Sequence, residues 1–411
     1  MSTQNTGVIA IKAGKLWDGL AERPRENAYV TVSQGRILAM GSQGDLAGAQ
    51  ERFAQVLDLG AGATLLPGLI NMHVHMAFSA GPDILADHQS ESLELRTIRA
   101  VENLKASLRT GVTTVRDCAT VNPIAFAVRD AVERGLLVAP RVVAAGAGIT
   151  TTGGHCWFCG VEADGELALR RAVREQVKAG ADFIKLFATG GNSTPGTNPL
   201  AAQYTVEEMT AAVQEAKRLG KRVASHAHGT PGVHASIAAR VTTIEHCTFL
   251  TAGGIAYEPE QARIIAGEGL YVVPTIFQGV GKLVKAEDPD LPPRHKGFLE
   301  IQRGRFQLVR SLVEQGVKIV SGNDAGVSWC EFGDYPGDLV LTQRGTGLSP
   351  AWVLKTATSA AAEALGRADL GVIAPGKVAD LLAVRGNPLE DMASLHNVIQ
   401  VIARGQVLPA A

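Results

Sequence analysis

Between residues 67 and 371 the sequence alternates short apolar or β-branched runs with helical patterns, and this alternation strongly limits the possible folds. One helical pattern is Thr205–Leu219, where apolar residues recur at three-to-four spacing and Thr205 with Glu208 predicts a capping box. Strands that alternate with helices pair in parallel through right-handed crossovers. The eight predicted strands are Leu69–His75, Thr113–Asp117, Arg141–Gly146, Phe183–Phe187, Arg222–Ala227, Thr243–Cys247, Tyr271–Thr275 and Lys318–Asp324.

Eight parallel strands are the number that closes a barrel, so the sequence predicts an α/β fold, the (β/α)8 TIM barrel. An open doubly wound sheet is the alternative, but no glycine-rich phosphate turn follows the first strand to support it. Both chain ends carry short strand-like runs separated by turns instead. We therefore expect a small β-sandwich domain from residues 1–66 plus 372–411, and a barrel from residues 67–371.

Composition narrows the expected partners. The chain has 411 residues with a net charge of −1, which gives no electrostatic reason to expect nucleic acid or an anionic membrane. The first eight residues lack the pattern of a secretory signal, and the five cysteines are odd in number and form no disulfide framework. We expect a cytoplasmic protein with a small-molecule substrate, and the oligomeric state stays open, a homo-oligomer included.

Histidines concentrate at the ends of the predicted strands. His73 and His75 end the first strand, and alternate residues of a strand share a face, so both rings point the same way. Two histidines on one face form half of a metal site. Strands five and six add His226, His228 and His246, so five of the ten histidines lie where a barrel places its active site.

Two charged residues accompany these histidines. Lys185 has apolar neighbours on both sides in Phe183–Phe187, which predicts that it lies on a buried strand. A buried ammonium is costly unless it is paired or deprotonated, and an acidic partner at the end of the barrel is the alternative to a role in the site. Asp324 ends the eighth predicted strand. The parallel topology would bring both residues to the histidines.

Together these motifs resemble the amidohydrolase superfamily of metal-dependent hydrolases over nearly the whole chain. Residues 67–75 (PGLINMHVH) resemble its first barrel strand, residues 356–362 a helix near the end of the barrel, and residues 374–381 the return to the small β domain. The lysine on strand four, the stretch Ser225–Gly229 and a Gly-Gly-His loop are similar to the imidazolonepropionase-related branch. That branch includes Xaa-Pro and Xaa-Arg dipeptidases and ochratoxin-type amidohydrolases.

The resemblance implies a binuclear metal centre, and mixed nitrogen and oxygen ligands suit zinc, although manganese, cobalt and iron also occupy such sites. It implies that Lys185 is carboxylated and bridges the two ions, and that Asp324 also acts as general base. On strand five the spacing does not decide whether His226 or His228 is the metal ligand. The superfamily usually uses the first histidine, and the second would then contact the substrate. The implied ligands are His73, His75, Lys185, His226, His246 and Asp324.

The resemblance also implies a reaction. We expect a metal-bound hydroxide to cleave a peptide-like C–N bond in an N-acyl amino acid or dipeptide and to release an amino acid. His155, Tyr204 and His228 would recognise the carboxylate end of this substrate. Three alternatives stay open: a hydrolase of a cyclic amide, urea or carbamate; a mononuclear deaminase, which Lys185 argues against; and a non-catalytic scaffold.

Overall fold

The structure is a computed structural model that describes residues 7–46, 53–279 and 293–409, with side chains from residue 296 in the last range. Its strands are β1 (Ile9–Leu16), β2 (Arg25–Ser33), β3 (Arg36–Ser42), β4 (Gln55–Asp58), β5 (Ala63–Pro67), β6 (Leu69–Val74), β7 (Val112–Asp117), β8 (Arg141–Ala144), β9 (Ile149–Thr150), β10 (Val161–Glu162), β11 (Ile184–Phe187), β12 (Val223–Gly229), β13 (Thr243–Thr251), β14 (Gly254–Ile255), β15 (Tyr271–Val273), β16 (Lys318–Ile319), β17 (Leu381–Arg385), β18 (Val398–Ala403) and β19 (Gln406–Val407).

The helices alternate with the central strands. They are α1 (Ile84–Ser90), α2 (Leu93–Arg109), α3 (Asn122–Glu133), α4 (Glu166–Ala179), α5 (Val206–Arg218), α6 (Thr230–Ala238), α7 (Pro259–Gly267), α8 (Pro293–Glu314), α9 (Tyr335–Thr346), α10 (Pro350–Thr356) and α11 (Ser359–Leu365). The predicted capping box at the start of α5 is confirmed, because Thr205 Oγ1 accepts from Glu208 N and Glu208 Oε2 accepts from Thr205 N. Among the described residues no helix is both long and apolar enough to cross a membrane.

The two ends of the chain build one sheet. The first five strands and the last three form an eight-stranded sheet in the order β19-β18-β17-β5-β1-β2-β3, with β4 beside β1. Its buried cluster includes Ile11, Val30, Leu65, Leu381 and Ile402, which come from both termini. The contribution of both termini agrees with the sequence pattern, whereas the two-layered sandwich and the domain limits stay predictions.

The central strands form two parallel sheets. One contains β6, β7 and β8, and the other runs β10-β9-β11-β12-β13-β15-β16, with the short β14 antiparallel to β13. Backbone hydrogen bonds connect the two sheets at both edges. Met72 N in β6 donates to Ser321 O beyond β16 at 3.0 Å, and Asp182 N donates to Ala144 O in β8 at 2.8 Å. The strand ladders do not run continuously through these contacts, so the fold is mixed α/β with parallel sheets.

The first five predicted strands are confirmed to within two residues at each end. The eighth is shorter than predicted, because β16 ends at Ile319 and the segment that leads to Asp324 leaves the strand conformation, with a φ of 66° at Asp324. The structure adds β9, β10 and β14, which the sequence did not predict. Each has two residues, too few to show the period of two that marks a strand.

Gly322 lets the segment beyond β16 pass close to β6. A Cβ at Gly322 would lie 2.6 Å from the backbone N of His73 and 2.8 Å from its Cβ. Gly322→Ala must therefore separate the two segments, and overpacking of this kind costs about 1–3 kcal/mol. We expect a lower midpoint of thermal unfolding. Gly267→Ala at the end of α7 is the control, because a Cβ there meets nothing within 4 Å. Equal midpoints for both variants and the parent would contradict the prediction.

Candidate active site

The six side chains that the resemblance assigns as metal ligands lie at one end of the parallel sheets. Parallel strands bring their carboxyl ends to the same edge, which explains why residues far apart in sequence meet there. All are buried except Asp324, whose side chain is 13% exposed. They are His73 in β6, His75 just beyond it, Lys185 in β11, His226 in β12, His246 in β13 and Asp324 beyond β16.

Asp324 contacts both histidines of the first central strand. Its Oδ1 lies 3.3 Å from His73 Nε2 and 3.2 Å from His75 Nε2. The other nitrogen of each ring is occupied, since His73 Nδ1 lies 2.8 Å from Glu245 Oε2 and His75 Nδ1 lies 3.2 Å from the Ala119 carbonyl oxygen. Such oxygens only accept hydrogen bonds, so both Nδ1 atoms carry the hydrogen. In the neutral rings, both Nε2 atoms therefore direct a lone pair toward Asp324.

Three further imidazoles form a second group, with ligand atoms of His226, His228 and His246 all within 4.8 Å of one another. His226 Nδ1 lies 2.9 Å from His246 Nε2, and His226 Nε2 donates to the Gly190 carbonyl oxygen at 3.2 Å. His228 Nδ1 lies 3.1 Å from Thr248 Oγ1, whose own hydrogen is donated to the His228 carbonyl. His226 Nδ1 and His228 Nε2 therefore hold lone pairs when these rings are neutral.

Burial favours the neutral form of most of these rings. Burial, with the nearby charge of Lys185, lowers the pKa of His73 to about 4. Burial also lowers the pKa of His226, His228 and His246 well below the ordinary value of histidine. Because histidine binds a metal only in its neutral form, these four rings are prepared to act as ligands at neutral pH.

Three buried polar atoms in this group lack a hydrogen-bond partner among the described residues: His73 Nε2, Lys185 Nζ and Asp324 Oδ1. Lys185 is 1% exposed, and its Nζ lies 5.4 Å from the centre of the Phe187 ring. Buried polar atoms nearly always have partners, so three without one at a single point are a strong signal. Neutral imidazoles and a carboxylate are ligands that divalent cations such as zinc bind, and the residues therefore fit a metal centre.

A buried ion pair beneath His73 was missed by the sequence analysis. Both oxygens of Glu245 accept from Arg116 Nη2, at 2.7 and 2.8 Å, while Oε2 also accepts from His73. Burial alone would raise the pKa of Glu245, but the Arg116 guanidinium and His73 hold it below its usual range. Glu245 thereby fixes the orientation of the His73 ring. The sequence does contain one signal for this pair: Arg116 and Glu245 are charged residues, and each lies inside a strand that was predicted to be buried.

A chain of buried polar side chains holds the segment of Asp324 against β6. Asn71 Nδ2 donates to Asn323 Oδ1 at 2.7 Å, and Asn323 Nδ2 donates to Asp338 Oδ2 at 2.7 Å. Asp324 N donates to the His73 carbonyl at 2.9 Å. The left-handed φ of 66° at Asp324 is uncommon for a residue other than glycine. Backbone strain of this kind concentrates at functional sites, where surrounding contacts maintain it.

The site opens into a cavity of about 310 Å³, which lies in the size range of small-molecule sites. Its polar lining residues include His75, His155, His226, His228, His246 and Asp324. Its apolar lining residues include Phe78, Phe187, Phe277, Phe298 and Ile301. The helix α8 adds two polar residues, Gln302 and Arg305, which the sequence analysis did not select.

Two of the three expected substrate contacts line this cavity. They are His155, whose ring centre lies 4.6 Å from that of His226, and His228. The third expectation is corrected, because Tyr204 does not line the cavity. Its side chain belongs to a buried hydrophobic cluster that also contains residues of α4 and α5, and its hydroxyl donates to the Ala163 carbonyl oxygen at 2.9 Å.

Comparisons with known proteins identify the family of this chain. The model of the amidohydrolase family matches residues 64–408. Ochratoxinase from Aspergillus niger is 29% identical over an alignment of 435 residues, which covers 95% of this chain and 84% of that protein. A crystal structure of a Xaa-Pro dipeptidase with bound methionine is 32% identical, with a TM-score of 0.85 over 98% of this chain and 99% of the other. Imidazolonepropionase from Salinispora tropica is 27% identical over 169 residues, 41% of this chain and 37% of that protein.

The chain belongs to the amidohydrolase family. With ochratoxinase and a Xaa-Pro dipeptidase among its relatives, it is a hydrolase that acts on amide or peptide bonds. The resemblance that the motifs in the sequence indicated is thereby confirmed.

The ion pair beneath His73 can be tested with Glu245→Gln. Removing one partner of a buried pair costs about 3–5 kcal/mol, and losing the group that orients a metal ligand weakens metal affinity about 10–100-fold. Chemical denaturation of chelator-treated protein and metal titration measure the two effects. Glu268→Gln is the control, because its pair with Arg240 is largely exposed. Similar effects of both substitutions would refute the assigned role of Glu245.

Proposed function

We propose that the chain is a binuclear metal-dependent amidohydrolase. It cleaves the C–N bond of an N-acyl amino acid or a dipeptide and releases an amino acid with a free carboxylate. The observation that carries this proposal is the convergence of three unpartnered buried atoms with the lone pairs of neutral imidazoles. A metal-free purified protein that stays inactive after metal addition would refute it.

The donor atoms divide into two sets. His73, His75 and Asp324 would hold the first ion, since both Nε2 atoms and the carboxylate face each other. His246 would hold the second ion with His226, because His226 Nδ1 and His246 Nε2 approach to 2.9 Å. Zinc suits this mixture of nitrogen and oxygen ligands.

Lys185 would bridge the two sets as a carbamate. Its Nζ amine would bond to the carbon of CO2 and release one proton, so that an anion with two oxygens replaces the amine. This modification supports the proposal because it gives a buried and unpartnered Nζ a reason to lie among metal ligands. A cation alone would be unfavourable at that position.

Two bound divalent ions would lower the pKa of water and polarise the scissile carbonyl. Asp324 would accept a proton from the attacking water and deliver it to the nitrogen of the departing amine. Glu245 would keep His73 in one orientation during these transfers. His228 and His155 line the cavity and would orient the substrate by hydrogen bonds.

The cavity supports a substrate with both apolar and polar parts. Its aromatic walls fit an acyl group or an apolar side chain, and its histidines face the scissile bond. The names of the relatives support the same class of substrate, since one is a Xaa-Pro dipeptidase and another an ochratoxinase. A panel of N-acyl amino acids and dipeptides against cyclic amides, ureas and carbamates tests the proposal, with metal content measured on the same sample. Exclusive cleavage of the second group would contradict it.

We further propose that the two parallel sheets close into one (β/α)8 barrel over residues 67–371. The hydrogen bonds from Met72 to Ser321 and from Asp182 to Ala144 support closure at both edges. Residues 1–66 and 372–411 would then form the β-sandwich domain beside it.

Lys185→Ala tests the bridge. We expect turnover to fall more than about 100-fold. Losing a residue that only supports a metal ligand already lowers metal affinity or activity about 10–100-fold. A short-chain carboxylic acid in the buffer should restore part of the rate by replacing the missing carboxylate. Lys178→Ala, an exposed position on α4, is the control. A Lys185→Ala enzyme with the parent rate would exclude the bridge.

Asp324→Asn separates metal binding from proton transfer. The amide is similar in size to the carboxylate, so we expect much of the metal to stay bound. Turnover should fall about 10²–10⁴-fold, the usual contribution of a general base. Metal analysis and steady-state rates on one preparation measure both, with the exposed Asp130→Asn as control. Near-normal turnover would remove Asp324 as the base.

A further inference from the structure

Arg305 brings a positive charge to the cavity from the middle of α8. It lines the cavity with Asp324, His228 and Gln302. His228 and Asp324 belong to the histidine and carboxylate groups of the candidate metal centre, so the guanidinium shares a cavity with that centre. Neither metal binding nor the proposed proton transfer uses this residue.

The guanidinium has more hydrogens than partners. Its Nη1 donates to the Thr275 carbonyl oxygen at 3.4 Å, a long contact, and its buried Nε has no hydrogen-bond partner among the described residues. Asp324 is the carboxylate whose charge acts on Arg305, yet its Oδ1 is directed at His73 and His75. Within the described part of the chain, donors of Arg305 are therefore left available at the cavity wall.

Arg305 keeps its charge at neutral pH. Burial lowers its pKa to about 10, which is still far above neutrality. A poorly paired charge in a partly buried wall costs free energy that an anionic ligand can offset. The planar fork of arginine matches a carboxylate with two parallel hydrogen bonds. A bound carboxylate would thus supply the close partner that Arg305 lacks among the described residues.

The cavity that Arg305 lines also has apolar residues. Phe277 and Phe298 line the same cavity, with ring centres 5.8 Å apart, and Ile301 lies one turn earlier on α8. Gln302 donates its amide to the Phe277 carbonyl, so that group is already engaged. A low-dielectric surrounding strengthens an ion pair between Arg305 and a bound anion.

The residues that the sequence predicts as carboxylate contacts are poorly placed to donate. Tyr204 does not line the cavity, and its hydroxyl donates to the Ala163 carbonyl oxygen. The Nδ1 atoms of His228 and His155 are engaged with Thr248 Oγ1 and Thr194 Oγ1. Arg305 lines the same cavity and offers a carboxylate both hydrogen bonds and a positive charge.

We propose that Arg305 binds the free carboxylate of the amino-acid half of the substrate. The cavity would then select N-acyl amino acids and dipeptides with a free carboxylate over the same molecules with a carboxamide. This inference rests on the proposed amide hydrolysis and names the group that sets its substrate class.

A matched substrate pair tests the inference. N-acetyl-L-phenylalanine and N-acetyl-L-phenylalaninamide share the scissile bond and the side chain and differ only in the carboxylate, and acetate release reports cleavage of both. We expect the parent enzyme to prefer the acid. Arg305→Gln should lose about 100-fold in kcat/KM on the acid, the scale for truncating one partner of a buried charge pair, and little on the amide. Arg305→Lys should be intermediate because it keeps the charge and loses the fork.

Arg310→Gln is the matched control. It removes one positive charge from an exposed position of the same helix and should retain the acid preference of the parent. Equal losses on acid and amide in Arg305→Gln would overturn the inference, as would a parent enzyme that cleaves the acid and the amide equally well. Midpoints of thermal unfolding for each variant show whether the fold is intact.

A binding measurement separates this inference from the proposed function. Calorimetry of N-acetyl-L-phenylalanine with chelator-treated protein requires no turnover. If the parent enzyme cleaves neither substrate but binds the acid, and Arg305→Gln alone loses that binding, the proposed hydrolysis of this substrate class fails while the carboxylate site stands. Absent binding, or equal binding by the parent and Arg305→Gln, would overturn the carboxylate site.

Discussion

Buried nitrogen lone pairs at the carboxyl ends of the parallel strands are the constraint on which the rest of the site depends. Outward hydrogen bonds fix each ring: Glu245 accepts from His73, Gly190 from His226 and Thr248 from His228. Each bond satisfies one nitrogen and directs the other toward a shared space. Burial keeps the rings neutral, so the lone pairs are available. Without a cation, this arrangement would leave polar atoms buried with no compensation.

The scaffold maintains this arrangement by close backbone packing and local strain. Gly322 permits the segment of Asp324 to pass against β6, and Asn323 connects Asn71 with Asp338 across the same contact. His246 and Asp324 both adopt left-handed φ values. Such conformations persist only where neighbouring contacts fix them, and here they place a histidine and a carboxylate on facing sides of one space.

The sequence predicted those parts of the structure that depend on local pattern. Runs of apolar residues located the first five central strands, and strand-end positions identified the histidines, because both signals lie within a few residues. The pairing of Arg116 with Glu245 joins two strands 129 positions apart, so no local pattern contains it. Tyr204 was misplaced because packing decides which way a residue before a helix points. Arg305 resembles an ordinary charge on a helix until the cavity beside it is known.

The central claim is that these donors bind cations directly. Crystals grown with Zn²⁺ and measured with X-rays above and below its absorption edge test it most directly, because the anomalous signal locates each ion without reference to activity. We predict two ions: one bound by His73, His75 and Asp324, and another bound by His226 and His246, with added density on Lys185 between them. Zinc bound only elsewhere, or density showing Lys185 Nζ in a salt bridge with a protein carboxylate, would contradict this account.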